Sequence, residues 1–435
     1  MLNFAAHRQA LFAQLPPNSL AIIPSASLQT RNNDAEFPFR QDSDFYYLTG
    51  FTEDSACLVL RKADGDDTSI MFCQPKIKEM EIWTGYRLGP EAAAEQLNIS
   101  EARSIEEFTE SLPKLLENID HLYAAWGKDA QQDALYLDAI NKAKLQSRKG
   151  VKAPQHMHAI EPLLHEQRLI KSEPEIEIMR RAAQISAEAH IKAMEAVKPG
   201  IHEYQLEGLI RFHASQNGSR FDAYTSIVGS GANACVLHYI DNDDVIENGN
   251  LVLIDAGCEV EHYASDITRT FPANGRFSQA QKALYEVVLD AQLKAIDAVK
   301  PGNHCKVSHE VALQALTEGL VKLGLLSGDV DTLIKEEAYK PFFMHGTGHW
   351  LGLDVHDVGA YKVDNQWREL KPGMVVTIEP GLYVAPDNMD VDEKWRGIGI
   401  RIEDDVLVTD QGHEVLSHAV PKSVEEIEAL ASKNQ

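Results

Sequence analysis

The chain of 435 residues is long enough for two domains, and 44% hydrophobic with 25% charged residues excludes a disordered, collagen-like or fibrous polymer. A net charge of −25, from 41 basic against 66 acidic side chains, argues against a nucleic-acid backbone or an anionic membrane as partner. The early residues include His7 and Arg8 but no apolar run long enough for a signal-peptide core, and no later window approaches a membrane span, so a cytoplasmic location is expected. Cys57, Cys73, Cys235, Cys258 and Cys305 are scattered without a CxxC pair, and read as small buried hydrophobes in a reducing compartment.

Residues 1–165 alternate short apolar strands with amphipathic helices, the pattern of a smaller N-terminal α/β domain. Leu20–Ile23, Cys57–Leu60, Ile70–Cys73 and Leu122–Ala125 are the predicted strands. Asn32 to Gly50, with Asp34, Arg40, Asp42 and Asp44, reads as a polar loop followed by a strand over Phe45–Leu48. Ser104 with Glu107 three residues on is a capping box, and Phe108, Leu112, Leu115 and Leu116 continue the helix, which Pro113 can kink or divide.

A boundary falls near Leu163–Lys171 and opens a second domain over residues 166–435. Ser172 with Glu175 starts a long helix that Pro199-Gly200 stops near Val197. The run from Ala193 to Gly200 then returns from Ala295 to Gly302, identical at six of eight positions. Asn248-Gly249-Asn250 followed by Leu-Val-Leu-Ile-Asp255-Ala-Gly257 likewise matches Lys371-Pro372-Gly373 followed by Met-Val-Val-Thr-Ile-Glu379-Pro-Gly381. Two matches in the same order predict an internal duplication, with Asp255 and Glu379 at equivalent strand ends across a pseudo-two-fold axis.

After Asp255 the chain is predicted to form a β-hairpin turning near Glu261-His262, which can bring Asp266 back to Asp255. Two carboxylates on a hairpin are usually solvated, but Leu251–Ile254 is a buried type of strand, where a terminal carboxylate needs a partner or a metal. Pro341–Asp357 holds His345, His349 and His356 among glycines that disfavour a regular helix, so it is not an HExxH zinc helix. Three histidines there favour a site, although spacing leaves open which one binds metal. Gly397–Asp405 alternates so that Arg401 and Glu403 share one strand face, with Ile400 and Ile402 on the other. The candidate ligands are then Asp255, Asp266, His349, Glu379 and Glu403. Four gathered carboxylates repel one another unless about two divalent cations offset them, and oxygen-rich ligation suits manganese or cobalt better than iron or zinc.

Phe37–Gly50, Leu253–Gly257, Asp266–Thr270, His349–Asp357, Ile378–Gly381 and Gly399–Asp404 together closely resemble the bacterial aminopeptidase P family, over essentially the whole chain. The resemblance implies an α/β (α+β) protein with an N-terminal creatinase-like domain and a C-terminal pita-bread metallopeptidase domain. It also implies a two-metal centre, most simply Mn2+, with Co2+, Fe2+ or Zn2+ as alternatives. In it Asp255 chelates one ion, Asp266 and Glu403 bridge both, and His349 and Glu379 complete the second. The implied activity is hydrolysis of an N-terminal Xaa-Pro bond by a hydroxide bridging the ions, with peptides carrying proline in second position as substrates. Glu379 handles the water's proton, His356 stabilises the intermediate, His238 contacts backbone beyond the scissile bond, His345 lines the proline side and Arg401 holds Asp255. Asp34 and Trp83 align with a loop that a neighbouring subunit inserts into the site, in a homotetramer or homodimer. The rivals are a prolidase acting on dipeptides and a noncatalytic pita-bread binding module; the second is expected to have lost ligands, and all five positions here are filled.

Overall fold

A computed structural model describes residues 2–63 and 65–431. They form two compact units that divide between Arg168 and Leu169. Among the described residues, no helix is long and apolar enough to cross a membrane. All five cysteines are free; Cys57, Cys73 and Cys258 are buried as expected, whereas Cys235 and Cys305 are only half-buried.

The first unit is built on a six-stranded sheet in the order Glu101–Ser104, Asp66–Cys73, Cys57–Ala63, Ser19–Pro24, His121–Ala124 and His156–Ala159. The three strands Asp66–Cys73, Cys57–Ala63 and Ser19–Pro24 pair antiparallel, and the remaining neighbours pair parallel. Leu20, Ile22, Val59, Phe72 and Leu122 from the sheet meet Phe108, Leu112, Tyr136 and Ile140 from the helices that cover it. Four of the five predicted strands of this unit form. Phe45–Leu48 does not: it lies in the helix Ser43–Thr49, because Asp42 accepts a hydrogen bond from the Phe45 amide at 2.9 Å and Gly50, at φ 66°, closes the C-terminus. The preceding polar stretch carries a small hairpin, Thr30–Asn32 with Ala35–Glu36. The helix announced by Ser104 is divided ahead of Pro113, into the 3-10 turn Ile105–Glu107 and the α-helix Phe108–Leu115. Ser104 caps the turn through the Glu106 amide, at 3.3 Å.

The second unit opens with the helix Glu173–Ala196, whose capping box is formed: the Ser172 amide donates to Glu175 Oε2 at 2.7 Å. The repeated sequence corresponds to repeated structure. Glu173–Ala196 pairs with Glu203–Gln216, and Gln279–Asp297 pairs with Val307–Lys322. One three-stranded antiparallel sheet joins Ile227–Ser230, Leu251–Asp255 and Thr268–Pro272, and another joins Val375–Ile378, Asp404–Thr409 and Gly412–Val415. The hairpin after Asp255 turns at Glu261 and His262, both with positive φ (48° and 67°), the twist that a two-residue turn requires.

The halves are stitched where the chain returns. The Glu403 amide donates to Thr268 O at 3.0 Å, and Arg269 Nη1 donates to Glu403 O at 2.6 Å. The strand expected over Gly397–Asp405 is shorter: Ile398–Arg401 ends before Ile402-Glu403, and the next strand begins at Asp404. The segment around His349 is non-helical as expected and runs along the second sheet, with the Thr377 amide bonded to His349 O and the Glu379 amide to Thr347 O. That approach requires glycine at 348, since a Cβ there would run into Thr377 O.

Candidate metal centre

Nine of the sequence-predicted residues line one cavity of about 560 Å³: Asp255, Asp266, His349, Glu379, Glu403, His238, His345, His356 and Arg401. Asp255 is the last residue of Leu251–Asp255 and Glu379 follows directly after Val375–Ile378, so equivalent strand ends of the two halves each deliver a carboxylate. Asp266 comes from the returning arm of the hairpin, and its amide donates to both oxygens of Asp405 at 3.2 Å.

Asp266, His349 and Glu403 each offer a ligand atom within 4.8 Å of the others. The His349 Nδ1 lies 2.9 Å from Trp350 O. A carbonyl only accepts, so Nδ1 carries a proton and Nε2 is the nitrogen turned toward Asp266, at 3.4 Å, and Glu379, at 3.7 Å. Asp255 is held by Arg401 Nη2 at 2.6 Å, and the same guanidinium donates to Tyr383 Oη at 3.0 Å and to Thr268 Oγ1 at 3.2 Å. Thr268 Oγ1 in turn donates to Glu403 Oε2 at 2.6 Å. The Tyr224 hydroxyl stands 2.6 Å from Asp255 Oδ1 and 2.5 Å from Asp266 Oδ1. One phenolic proton cannot serve two carboxylates, so the second oxygen is left seeking a proton or a cation.

The electrostatics carry the same deficit. Burial, and then the charges of Asp266, Glu379 and Asp255, push Glu403 well above the carboxylate range. Burial lifts Glu379 to about 7 against the pull of His349 and Arg401. Asp255 is also raised by burial despite Arg401, whereas Asp266 is lowered: burial opposes ionisation there, but the His349 contact outweighs it. Four carboxylates thus face one guanidinium, and the donor set of carboxylate oxygens with one imidazole fits hard divalent cations.

The other histidines differ from one another. His345 is half-buried and lowered to about 4, first by desolvation and then by Arg401, so it is neutral; Nδ1 donates to Gly346 O at 2.6 Å and Nε2 lies 2.8 Å from Tyr383 Oη. His356 meets the His349 ring edge-on at 4.4 Å between centroids and is lowered by burial and by His349. His238, exposed, follows the 3-10 turn Gly231–Cys235 at the rim. Asp34 sits at the tip of the Thr30–Glu36 hairpin and Trp83, 85% exposed, on the helix Lys78–Thr84; both belong to the first unit and neither lines the cavity.

Sequence reasoning missed Tyr224, Thr268 and Asp405. Thr268 stands inside the recognised run Asp266–Thr270 and Asp405 two residues after Glu403, so proximity in the chain was the available signal. Tyr224 has none: it precedes the strand Ile227–Ser230 in an irregular stretch.

Two family models match. Residues 177–410 match metallopeptidase family M24, and residues 4–123 match the aminopeptidase P N-terminal domain. The chain is 49% identical over 430 residues to the Xaa-Pro aminopeptidase of Escherichia coli K12, covering 98% of this chain and 97% of that one. It is also 48% identical to the Haemophilus influenzae Xaa-Pro aminopeptidase, covering 98% of this chain and 96% of the relative. Among solved structures, the Pseudomonas aeruginosa aminopeptidase PepP superposes with a TM-score of 0.98 at 50% identity, covering 100% of this chain and 99% of that one. Zinc-substituted E. coli aminopeptidase P in complex with product gives 0.97 at 48% identity, over 99% of this chain and 98% of that one. The chain belongs to metallopeptidase family M24 and carries the N-terminal domain of aminopeptidase P.

Proposed function

We propose that this protein is a Xaa-Pro aminopeptidase, hydrolysing the bond between the first residue of a peptide and a proline in second position. The observation that carries the reading is the under-compensated carboxylate cluster, which shares one cavity with three further histidines. Asp255, Asp266, His349, Glu379 and Glu403 would hold two divalent cations, with Asp255 on one, His349 and Glu379 on the other, and Asp266 and Glu403 shared. Manganese suits this set best, with cobalt, iron or zinc as alternatives. Such cations, when bound, supply Lewis acidity and a water acidic enough to ionise near neutral pH.

The chain's own groups do the rest. Glu379 Oε takes the proton of the attacking water and returns it to the proline nitrogen. That nitrogen is a tertiary amide with no N–H and leaves only once protonated. His356, edge-on to His349, would hydrogen-bond the oxyanion that develops on the first residue's carbonyl. His238 at the rim contacts backbone beyond the scissile bond, and His345, held by Tyr383, lines the proline side. Arg401 fixes the orientation of Asp255. The reading extends to a cytoplasmic homotetramer, in which a neighbouring copy brings the hairpin bearing Asp34 and the exposed Trp83 to the site.

The test is hydrolysis of an Xaa-Pro-Yaa tripeptide by metal-stripped protein resupplied with manganese, beside the Xaa-Pro dipeptide and an Xaa-Ala-Yaa tripeptide. Manganese-dependent release of the first residue from the proline tripeptide alone is expected. Cleavage of the dipeptide only would replace this reading with a prolidase.

A further inference from the structure

A group of three histidines lies in the first unit, remote in sequence from the carboxylate cavity and opposite to it in chemistry. His121 opens the strand His121–Ala124, and His156 and His158 stand on the strand His156–Ala159, which forms the edge of the six-stranded sheet. The two strands pair in parallel with His121 opposite His156 and Tyr123 opposite His158. Residues i and i+2 of a strand share a face, as do residues directly opposite each other, so all three imidazoles rise from one side of the sheet.

As they stand their nitrogens do not all lie within 4.8 Å of one another, but their rings are near the spacing of a ligand set. Ring centroids are 4.9 Å apart for His121 and His156, 5.1 Å for His121 and His158, and 6.1 Å for His156 and His158. Three imidazoles on one tetrahedral ion, at about 2.0–2.1 Å from each nitrogen, need nitrogens about 3.3 Å and ring centres about 5 Å apart. His121 Nδ1 and His158 Nε2 are already 2.9 Å apart. The backbone under them is fixed: Trp126 Nε1 donates to His158 O at 3.0 Å, and the His121 amide donates to Asn18 O at 3.1 Å. Tyr123 stacks beneath His158 at 4.6 Å. The exposed His156 ring lies over His121 with 18° between the planes, so closing the set takes side-chain rotation and release of the proton between His121 Nδ1 and His158 Nε2, with no movement of the sheet. His158 is lowered, first by burial and then by the two neighbouring imidazoles, which keeps it in the neutral form that binds metal.

We propose that His121, His156 and His158 form a second metal site, selective for the nitrogen-preferring divalent cations Zn2+, Cu2+ and Ni2+ over Mn2+. Selectivity follows from the donors: three neutral imidazoles follow the rising series from manganese to copper, whereas the carboxylate cavity suits harder cations. Occupation would clip the edge strand, which pairs on one side only, to its neighbour.

Full-length protein, with its carboxylate centre first saturated with Mn2+, is titrated with Cu2+ and followed by electron paramagnetic resonance and by metal analysis after gel filtration. About one equivalent of copper per chain with superhyperfine structure from three nitrogens is expected; copper that exchanges into the carboxylate centre, as the rising series from manganese to copper allows, has only the one nitrogen of His349 and is told apart by that. His158→Gln should abolish that signal while manganese-dependent peptidase activity is kept. His156→Ala, at an exposed side chain whose loss leaves the fold intact, should reduce the coordination to two nitrogens and weaken binding by about 10-fold or more. Failure of the manganese-loaded protein to retain copper, a signal with fewer than three nitrogens, or a signal unchanged in both variants would overturn the proposal.

Discussion

The two units treat carboxylates in opposite ways. In the first, Asp44 meets Arg168 at 2.7 Å and His165 at 3.5 Å, and Asp54 meets Arg87 at 3.1 Å. Burial works against Asp44, but its histidine and arginine partners hold it at about 2. In the second unit, four carboxylates share Arg401 and His349, and Glu379 drifts to about 7. Charge that is matched within the chain is architecture; charge left unmatched and buried marks where something else must bind. The second unit contains both kinds, since Lys171 and Asp357 form a fully buried pair at 2.9 Å beside His356.

The comparison is sharpened first at its unmatched end. Replacing Glu379 with Gln should lower kcat on an Xaa-Pro-Yaa tripeptide by about 10²–10⁴-fold, checked by steady-state kinetics with metal content measured in parallel. The Lys171→Met variant probes the matched pair in the same unit. It leaves Asp357 buried without its cation and should cost about 3–5 kcal/mol of stability in denaturant titrations, and a loss confined to kcat with unchanged stability would break the distinction. At Asp44→Asn the expected loss is about 2 kcal/mol at neutral pH. The sign is fixed by a folded-state pKa below the unfolded one, so Asp44 stabilises fully above about pH 4 and loses its contribution as pH falls toward about 2. Chemical denaturation of both proteins between pH 7 and 3 should therefore show the two stabilities converging on acidification. The smallest effect belongs to matched charge in solvent: Lys142, 2.7 Å from Asp138 and half-exposed on its helix, should change stability by less than about 0.5 kcal/mol when replaced by Ala.

How much was legible in the sequence follows from how locally each feature is encoded. The five proposed ligands stand out because each ends or follows an apolar or glycine-marked stretch, where an ionisable group needs a reason. The Ser172 capping box is likewise written in four consecutive residues. Phe45–Leu48 misled because four bulky buried residues satisfy strand propensity, while the decision rested on Asp42 and Gly50 outside them. Tyr224 was invisible, since its role depends on Asp255 at a strand end and Asp266 just before the strand Thr268–Pro272 converging, a fact of register and not of pattern.

That register has an evolutionary corollary. Asp255 lies opposite Thr268, and the hairpin between them turns on two residues with the backbone in the left-handed region. Side chains alternate sides at every step, so one residue inserted into either arm sends Asp266 to the opposite face. The stretch from Asp255 to Asp266 is therefore constrained as a ruler: its descendants can exchange residues at the exposed turn, but they cannot change its length by one.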